Sequence, residues 1–253
     1  MLFRILCMAL ICVVFANKSV ASLVLIGFNA DGNDGMAAVA LTNFGAGTVF
    51  RFTDNEWSGT AFNSGEGFLS FTNTNAIAAG TILRFSSLSS SPVIVDGFGN
   101  SVLGTISGML DLNASDEGLY AYVGFDFQNV TQQFASVLTS NSTGGTAFTA
   151  SGAASVTLSP SNGDVYAYTG STNINATSFL DYVPLISNPS NWALQGDGTG
   201  DQSGSFMPKT GVFQITAVPE PSSILFGIIL AGGGWIKWRY RRRSLNSMPV
   251  HKP

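Results

Sequence analysis

LVLIGFNADGNDGMAAVALTNFGAGTVFRFT, residues 23–53, is the stretch on which the fold turns. Three short runs rich in Val, Leu, Ile, Phe and Ala, at 23–28, 37–41 and 48–52, are separated by Asn, Asp and Gly. Such side chains suit a pleated, half-buried surface, and the residues between them favour tight turns. Asp31-Gly32 and Asp34-Gly35 mark turns because Gly and Asx residues tolerate positive φ. The run Val49-Phe50-Arg51-Phe52-Thr53 alternates apolar and polar positions, as a strand with one buried face does.

Working outward, the same grammar recurs at 67–72, 81–85, 118–123, 133–138, 155–158, 164–168 and 212–216, with further turn signals at Asn162-Gly163 and Asp197-Gly198. Helical turns are expected only at 175–183 and at 76–80, the latter ended by Gly80. The Ser-, Thr- and Gly-rich segments 86–91 and 140–152 read as surface loops. Residues 116–122 and 163–168 echo each other, which we read as two strands alternating Tyr with small residues. About ten short strands with dense turn signals predict an all-β fold, a single β-sandwich over residues 22–216.

The flanks read differently. Arg4 precedes an apolar run at 5–16, and Ser19-Val20-Ala21 places small residues at the −3 and −1 positions of a cleavage site. Residues 1–21 are therefore expected to be a secretory signal peptide, cut between Ala21 and Ser22. Twelve apolar residues are too few to span a bilayer, which disfavours a permanent N-terminal anchor. Both cysteines, Cys7 and Cys12, fall in this segment, so the mature protein is expected to hold no disulfide.

At the other end, residues 217–243 comprise Val218-Pro219-Glu220-Pro221, an apolar and glycine-rich span, and a basic cluster ending in Arg241, Arg242 and Arg243. The 17 residues 222–238 make about 26 Å of helix at about 1.5 Å per residue, a span that barely reaches the hydrocarbon thickness. Gly232-Gly233-Gly234 weakens that helix further. Trp235, Trp238 and Tyr240 suit an interface, and the arginines are expected to stay cytoplasmic together with the tail 244–253. A short transmembrane helix therefore follows the sandwich, with the acidic body outside the membrane.

Charge and chemistry narrow the function. Within residues 22–217, 14 acidic residues stand against Arg51, Arg84 and Lys209, a net of −11. A nucleic-acid partner is excluded by this balance, because neutralising phosphates needs many Lys and Arg. The single histidine is His251, so the body has neither His nor Cys. That rules out Ser-His-Asp and Cys-His nucleophilic sites there, and zinc sites built from His and Cys. Two alternatives remain for the carboxylates Asp54, Glu56 and Glu66: turn and surface residues, or an acid and base pair for glycoside hydrolysis. The loop NADGNDG, residues 29–35, likewise reads either as a plain turn or as a calcium loop built on Asp31, Asn33 and Asp34. It does not follow the EF-hand pattern, since Asp34 stands where glycine is required and Ala40 where the bidentate Glu belongs. Four Asn-x-Ser/Thr matches, at Asn113, Asn129, Asn141 and Asn175, are read as composition.

Two resemblances add to these readings. Residues 27–72, with Phe52-Thr53-Asp54-Asn55 and Gly65-Glu66-Gly67 as the most telling pieces, resemble lamin-tail-like, immunoglobulin-type β-sandwich modules of secreted bacterial proteins; Asn191-Trp192 fits the same group. That likeness implies a surface or adhesive role and brings no catalytic residue. The C-terminal order of Pro219-Glu220-Pro221, apolar span and arginine cluster closely resembles the PEP-CTERM sorting signal of Gram-negative bacteria. It implies recognition by an exosortase, a membrane protease that releases or transfers the ectodomain, often in species that make exopolysaccharide. The tail 244–253 departs from the family habit of stopping soon after the basic cluster. The same pattern also accompanies the label of ice-binding proteins, but the body lacks a regular Thr-x-Thr ladder. The expectation is an exported, non-enzymatic cell-surface or extracellular-matrix protein with a structural or binding role linked to extracellular polysaccharide. A secreted carbohydrate-active enzyme and a calcium-dependent adhesin are the alternatives.

Overall fold

In the computed structural model, residues 22–57, 62–113, 118–123, 134–139, 154–158, 164–196 and 203–217 are described. The expected signal peptide, Pro219, Glu220 and Pro221, the span after them, Arg241, Arg242 and Arg243, and the loop 140–152 lie outside these residues. Among the described residues no helix is long and apolar enough to cross a membrane.

The fold is all-β and sandwich-like, formed by two six-stranded sheets. Sheet A contains β1 (Leu23–Asn29), β2 (Gly35–Ala40), β5 (Ile82–Ser86), β6 (Val93–Asp96), β11 (Val165–Tyr168) and β13 (Trp192–Gly196), in the order β13-β11-β1-β2-β5-β6. Sheet B contains β3 (Val49–Thr53), β4 (Phe68–Asn73), β7 (Gly104–Met109), β8 (Gly118–Val123), β9 (Phe134–Thr139) and β10 (Ala154–Thr157), in the order β10-β9-β8-β3-β4-β7. Within the two sheets pairing is antiparallel except between β9 and β10. A third, two-stranded sheet pairs β12 (Asn173–Asn175) with β14 (Gln214–Thr216) in parallel.

The core between the sheets is continuous. Leu23, Leu25, Phe28, Met36, Ala38, Leu83 and Phe85 of sheet A share one buried cluster with Phe50, Phe52, Leu69, Phe71 and Leu119 of sheet B. Phe85 anchors the contact, with ring centroids 4.9 Å from Phe52 and 6.5 Å from Phe71, both edge-to-face. Such pairs add to simple area burial.

Sheet A departs from a plain sandwich because its outer face is buried as well. Val24, Ile26, Ala37, Val39, Ile82 and Tyr168 form a second cluster with Tyr182, Ile186 and Phe213. The cover comprises the 3-10 turn Phe179–Tyr182, the single-turn helix α1 (Val183–Ile186), and the strands β12 and β14. A capping box at Ser178 and Asp181 starts this cover. Hydrogen bonds then tie it down: the Tyr182 hydroxyl donates to the Gln214 carbonyl at 2.6 Å, and Trp192 Nε1 donates to the Ile186 carbonyl at 2.7 Å. Double coverage explains why β1 and β2 read as near-continuous apolar runs instead of alternating. A register shift between Leu25 and Gly27 reverses the phase of β1, so that Leu25 and Phe28 both face the inner cluster.

Two local expectations are corrected. Residues 76–80 are not helical: Ile77 makes an isolated bridge to Phe44, and Gly80 ends a tight turn at φ +87°. Ile77 exchanges both its backbone hydrogen bonds with Phe44, at 2.8 and 2.9 Å, so those groups are not free for a helical turn, and a side chain on Gly80 would run into the Phe213 carbonyl. Residues 86–91 are not simply a surface loop, because Leu88 is fully buried and its carbonyl accepts from the Leu110 N–H at 3.1 Å. The Tyr echo is confirmed as two strands; they lie in different sheets, β8 in B and β11 in A.

Phe85 joins the two sheets, and its truncation tests the sandwich. Phe85→Ala is expected to destabilise the protein by about 3–5 kcal/mol, read from the urea midpoint. A loss below about 1 kcal/mol would show that the two sheets do not depend on this contact.

Candidate functional site

The residues singled out in the sequence gather where β3 leaves sheet B. Thr53 ends that strand, and Asp54 and Asn55 follow it as buried polar residues. Asn55 acts as a staple: its Nδ2 donates to Thr53 Oγ1 and to the Gly67 carbonyl, both at 2.8 Å, while its Oδ1 accepts from the Glu66 N–H at 3.2 Å. Thr53 Oγ1 also donates to the Gly67 carbonyl at 2.8 Å. The pieces Thr53-Asp54-Asn55 and Gly65-Glu66-Gly67 are thus two halves of one loop closure. Gly67 is required by space, since a Cβ there would lie 2.5 Å from the Met109 carbonyl oxygen.

Within this closure, Asp54 reaches a third segment. Its Oδ2 accepts from the Asp111 N–H at 3.3 Å, while Oδ1 is buried with no hydrogen-bond partner. The next amide, Leu112 N–H, donates to Asp34 Oδ2, also at 3.3 Å. Asp34 comes from the β1–β2 turn in sheet A and Asp54 from sheet B, so two buried carboxylates clip consecutive amides of the segment leaving β7. Burial pushes the Asp54 carboxyl from its ordinary 3.8 up to about 6, backbone N–H donors lower it, and the Glu66 charge raises it. Asp34 is raised too, mainly by burial, with smaller contributions from Asp111 and Asp31 against the Ser89 and Leu112 hydrogen bonds.

The other expected residues stand apart from this clip. Glu56 is exposed on the arm that leads to Trp57, and its carboxylate accepts from Asn63 Nδ2 at 3.3 Å. Glu66 is exposed on the returning arm. In the β1–β2 turn, Asn29 Nδ2 donates to the carbonyls of Asp31 at 3.2 Å and Asn33 at 2.8 Å, which organises the turn from inside. Asp34 is buried toward Leu112, Asn33 is exposed, and Asp31 is half-buried. Among the described residues no group of three or more His, Cys, Asp or Glu side chains is placed to hold a metal ion. Comparison with family models, curated proteins and solved structures finds no match to this chain. Sequence reading missed Asp111, Leu112 and Ser89. They bond through backbone groups or a short hydroxyl and sit far along the chain, so no local pattern signals them.

A carboxyl with a raised pKa in the folded state favours folding when protonated. The Asp54 contribution is fully present below 3.8 and is lost as the pH rises to about 6. Across that window the wild type is expected to lose up to about 3 kcal/mol through Asp54, and Asp54→Asn to lose only the residual slope left by Asp34. Urea midpoints measured at both ends of the window check this. Equal slopes in the two proteins would sink it.

Proposed function

We propose that this chain is an exported, non-enzymatic protein of the cell surface or extracellular matrix, delivered through the stretch VPEPSSILFGIILAGGGWIKWRYRRR at 218–243. The observation that carries the reading is the order of Pro219-Glu220-Pro221, a short glycine-weakened apolar span and Arg241, Arg242 and Arg243, placed behind an acidic β body. The positions of two strands support it. β1 begins at Leu23, so a cut between Ala21 and Ser22 leaves it whole; β14, the last strand among the described residues, ends at Thr216 before Pro219. An exosortase-type protease would read the motif while the span holds the chain in the membrane. The body then serves a structural or binding role in the extracellular polymer, with hydroxyl- and amide-rich loops as the contact chemistry for polysaccharide.

A secreted carbohydrate-active enzyme has one observation in its favour, the Asp54 carboxyl that holds its proton up to about 6. Its expected partners, Glu56 and Glu66, are solvent-exposed on the two arms of the loop, while Asp54 is only 2% exposed and tied to a backbone amide. An acid as buried as Asp54 presents almost no surface to a substrate. The binding reading is therefore preferred.

Sorting is tested by placing one epitope tag after Pro253 and another in the exposed turn at Ser90. In cells with exosortase, the Ser90 tag is expected in the surface or medium fraction without the C-terminal tag. Without exosortase, both tags stay together in the membrane fraction. Retention of both tags in both strains would mean a permanent anchor and overturn the processing claim.

A further inference from the structure

We propose that the β1–β2 turn, residues 29–35, is a calcium site in which Asn29 Oδ1 is the buried ligand and Asp31 and Asp34 supply the charge. The turn NADGNDG has an oxygen-bearing side chain at four of its seven positions, and two of these are buried, Asn29 at 1% and Asp34 at 5% exposed.

Asn29 is the residue that points to a ligand. Its Nδ2 donates to the carbonyls of Asp31 at 3.2 Å and Asn33 at 2.8 Å, so the amide faces the inside of the turn. Oδ1 belongs to the same planar group and is buried with no hydrogen-bond partner. Exchanging the two atoms would not relieve it, because an oxygen would then oppose two carbonyls. Buried acceptors of this kind are rare in native proteins, and a cation supplies here what the chain does not.

The local field favours a positive ion over a further neutral donor. Burial raises the Asp34 carboxyl most, and the charges of Asp111 and Asp31 raise it further, against the Ser89 and Leu112 hydrogen bonds. Residues 22–217 carry 14 acids against 3 bases, so the chain has few cations of its own to place beside them. Ligand chemistry then selects the metal. Carboxylate, amide and backbone carbonyl oxygens are hard ligands, and the body has no His or Cys for softer ions. Calcium accepts about six to eight such oxygens in irregular geometry, water included, whereas magnesium demands a near-ideal octahedron. Only two carboxylates take part, in keeping with the lack of a group of three acids placed for a metal among the described residues. So little ligand charge matches extracellular modules that bind calcium at about 10⁻⁴–10⁻³ M. Because Asp34 also accepts from the Leu112 N–H at 3.3 Å, a cation in the turn steadies the clip between the sheets as well. The site does not depend on how the chain is exported.

Thermal melts of the purified full-length protein test this, with calcium chloride at about 10 mM against sodium chloride of equal ionic strength. For a Kd of about 1 mM the wild type is expected to gain about 3–6 °C in calcium. Asp31→Asn is expected to lose most of that gain, while Glu56→Gln, an exposed acid on the other loop, keeps it. In nitrogen-15 spectra the side-chain amide signal of Asn29 is expected to move saturably with calcium and not with magnesium. This second readout needs only the wild type, so it stands should D31N misfold. A melt raised no more by calcium than by sodium, an equal gain in folded D31N, or an Asn29 amide signal that stays in place overturns the proposal.

Discussion

Burial of sheet A on both faces is the constraint from which the rest of the architecture follows. A sheet with one wet face can be completed by a second sheet alone. β1 and β2 have no wet face: every residue of both strands is buried, and their two sides feed separate clusters. A cover must therefore be built over Val24, Ile26, Val39 and Ile82, and the chain supplies it late, from residues 174 to 215. Trp192 links the layers, since it packs against both clusters and donates to the Ile186 carbonyl at 2.7 Å. In sheet B, by contrast, β7 is exposed at all but one of its residues, Ile106, which is half-buried.

The same layering locates the buried acids. The segment leaving β7 leads to β8 in the same sheet, and among the described residues its amides at Asp111 and Leu112 pair with no strand. Asp54 from sheet B and Asp34 from sheet A accept from them. A buried backbone N–H without a partner costs about 1–3 kcal/mol, so two carboxylates are well employed there even though burial disfavours their charged forms. The raised Asp54 carboxyl is thus explained as a by-product of clamping the segment between β7 and β8, without any appeal to catalysis.

Legibility in the sequence tracked burial. β1, β3, β5, β8 and β11 stand out because their apolar residues are concentrated by the core, and each was located to within a residue or two. β6, β7, β12 and β13 were not read. VIVD is only four residues long, GTISGM has almost no apolar content because it lies exposed on an edge, NIN is too short to carry a period, and WALQG is an edge strand with partial burial. Helix α1 likewise has one turn, too little for a 3.6-residue pattern to show. For the site, Thr53, Asp54 and Asn55 were visible as an unusual polar cluster after a strand, but their partners depend on contacts 57 residues apart, from Asp54 to Asp111. Long-range pairing of a side chain with a backbone amide leaves no trace in local composition.

Several asparagines outside the four Asn-x-Ser/Thr matches have a structural role. Residues 22–217 contain no cysteine, so no disulfide fixes their connections. Asparagine substitutes for such staples because its amide both donates and accepts. Asn29 holds the β1–β2 turn through two carbonyls, and Asn73 does the same for Gly45 at 2.9 Å and Asn75 at 2.6 Å. Asn43 accepts from the Ala79 N–H at 2.9 Å across 36 residues, and Asn191 donates to the Leu185 carbonyl at 2.8 Å. Asn55 closes the loop between β3 and β4. An aspartate at any of these donor positions would present only acceptors to a carbonyl, adding repulsion where there is now a bond, in a body already short of cations. Neutral amides are the side chains that can bind backbone in both directions without adding to a net charge of −11.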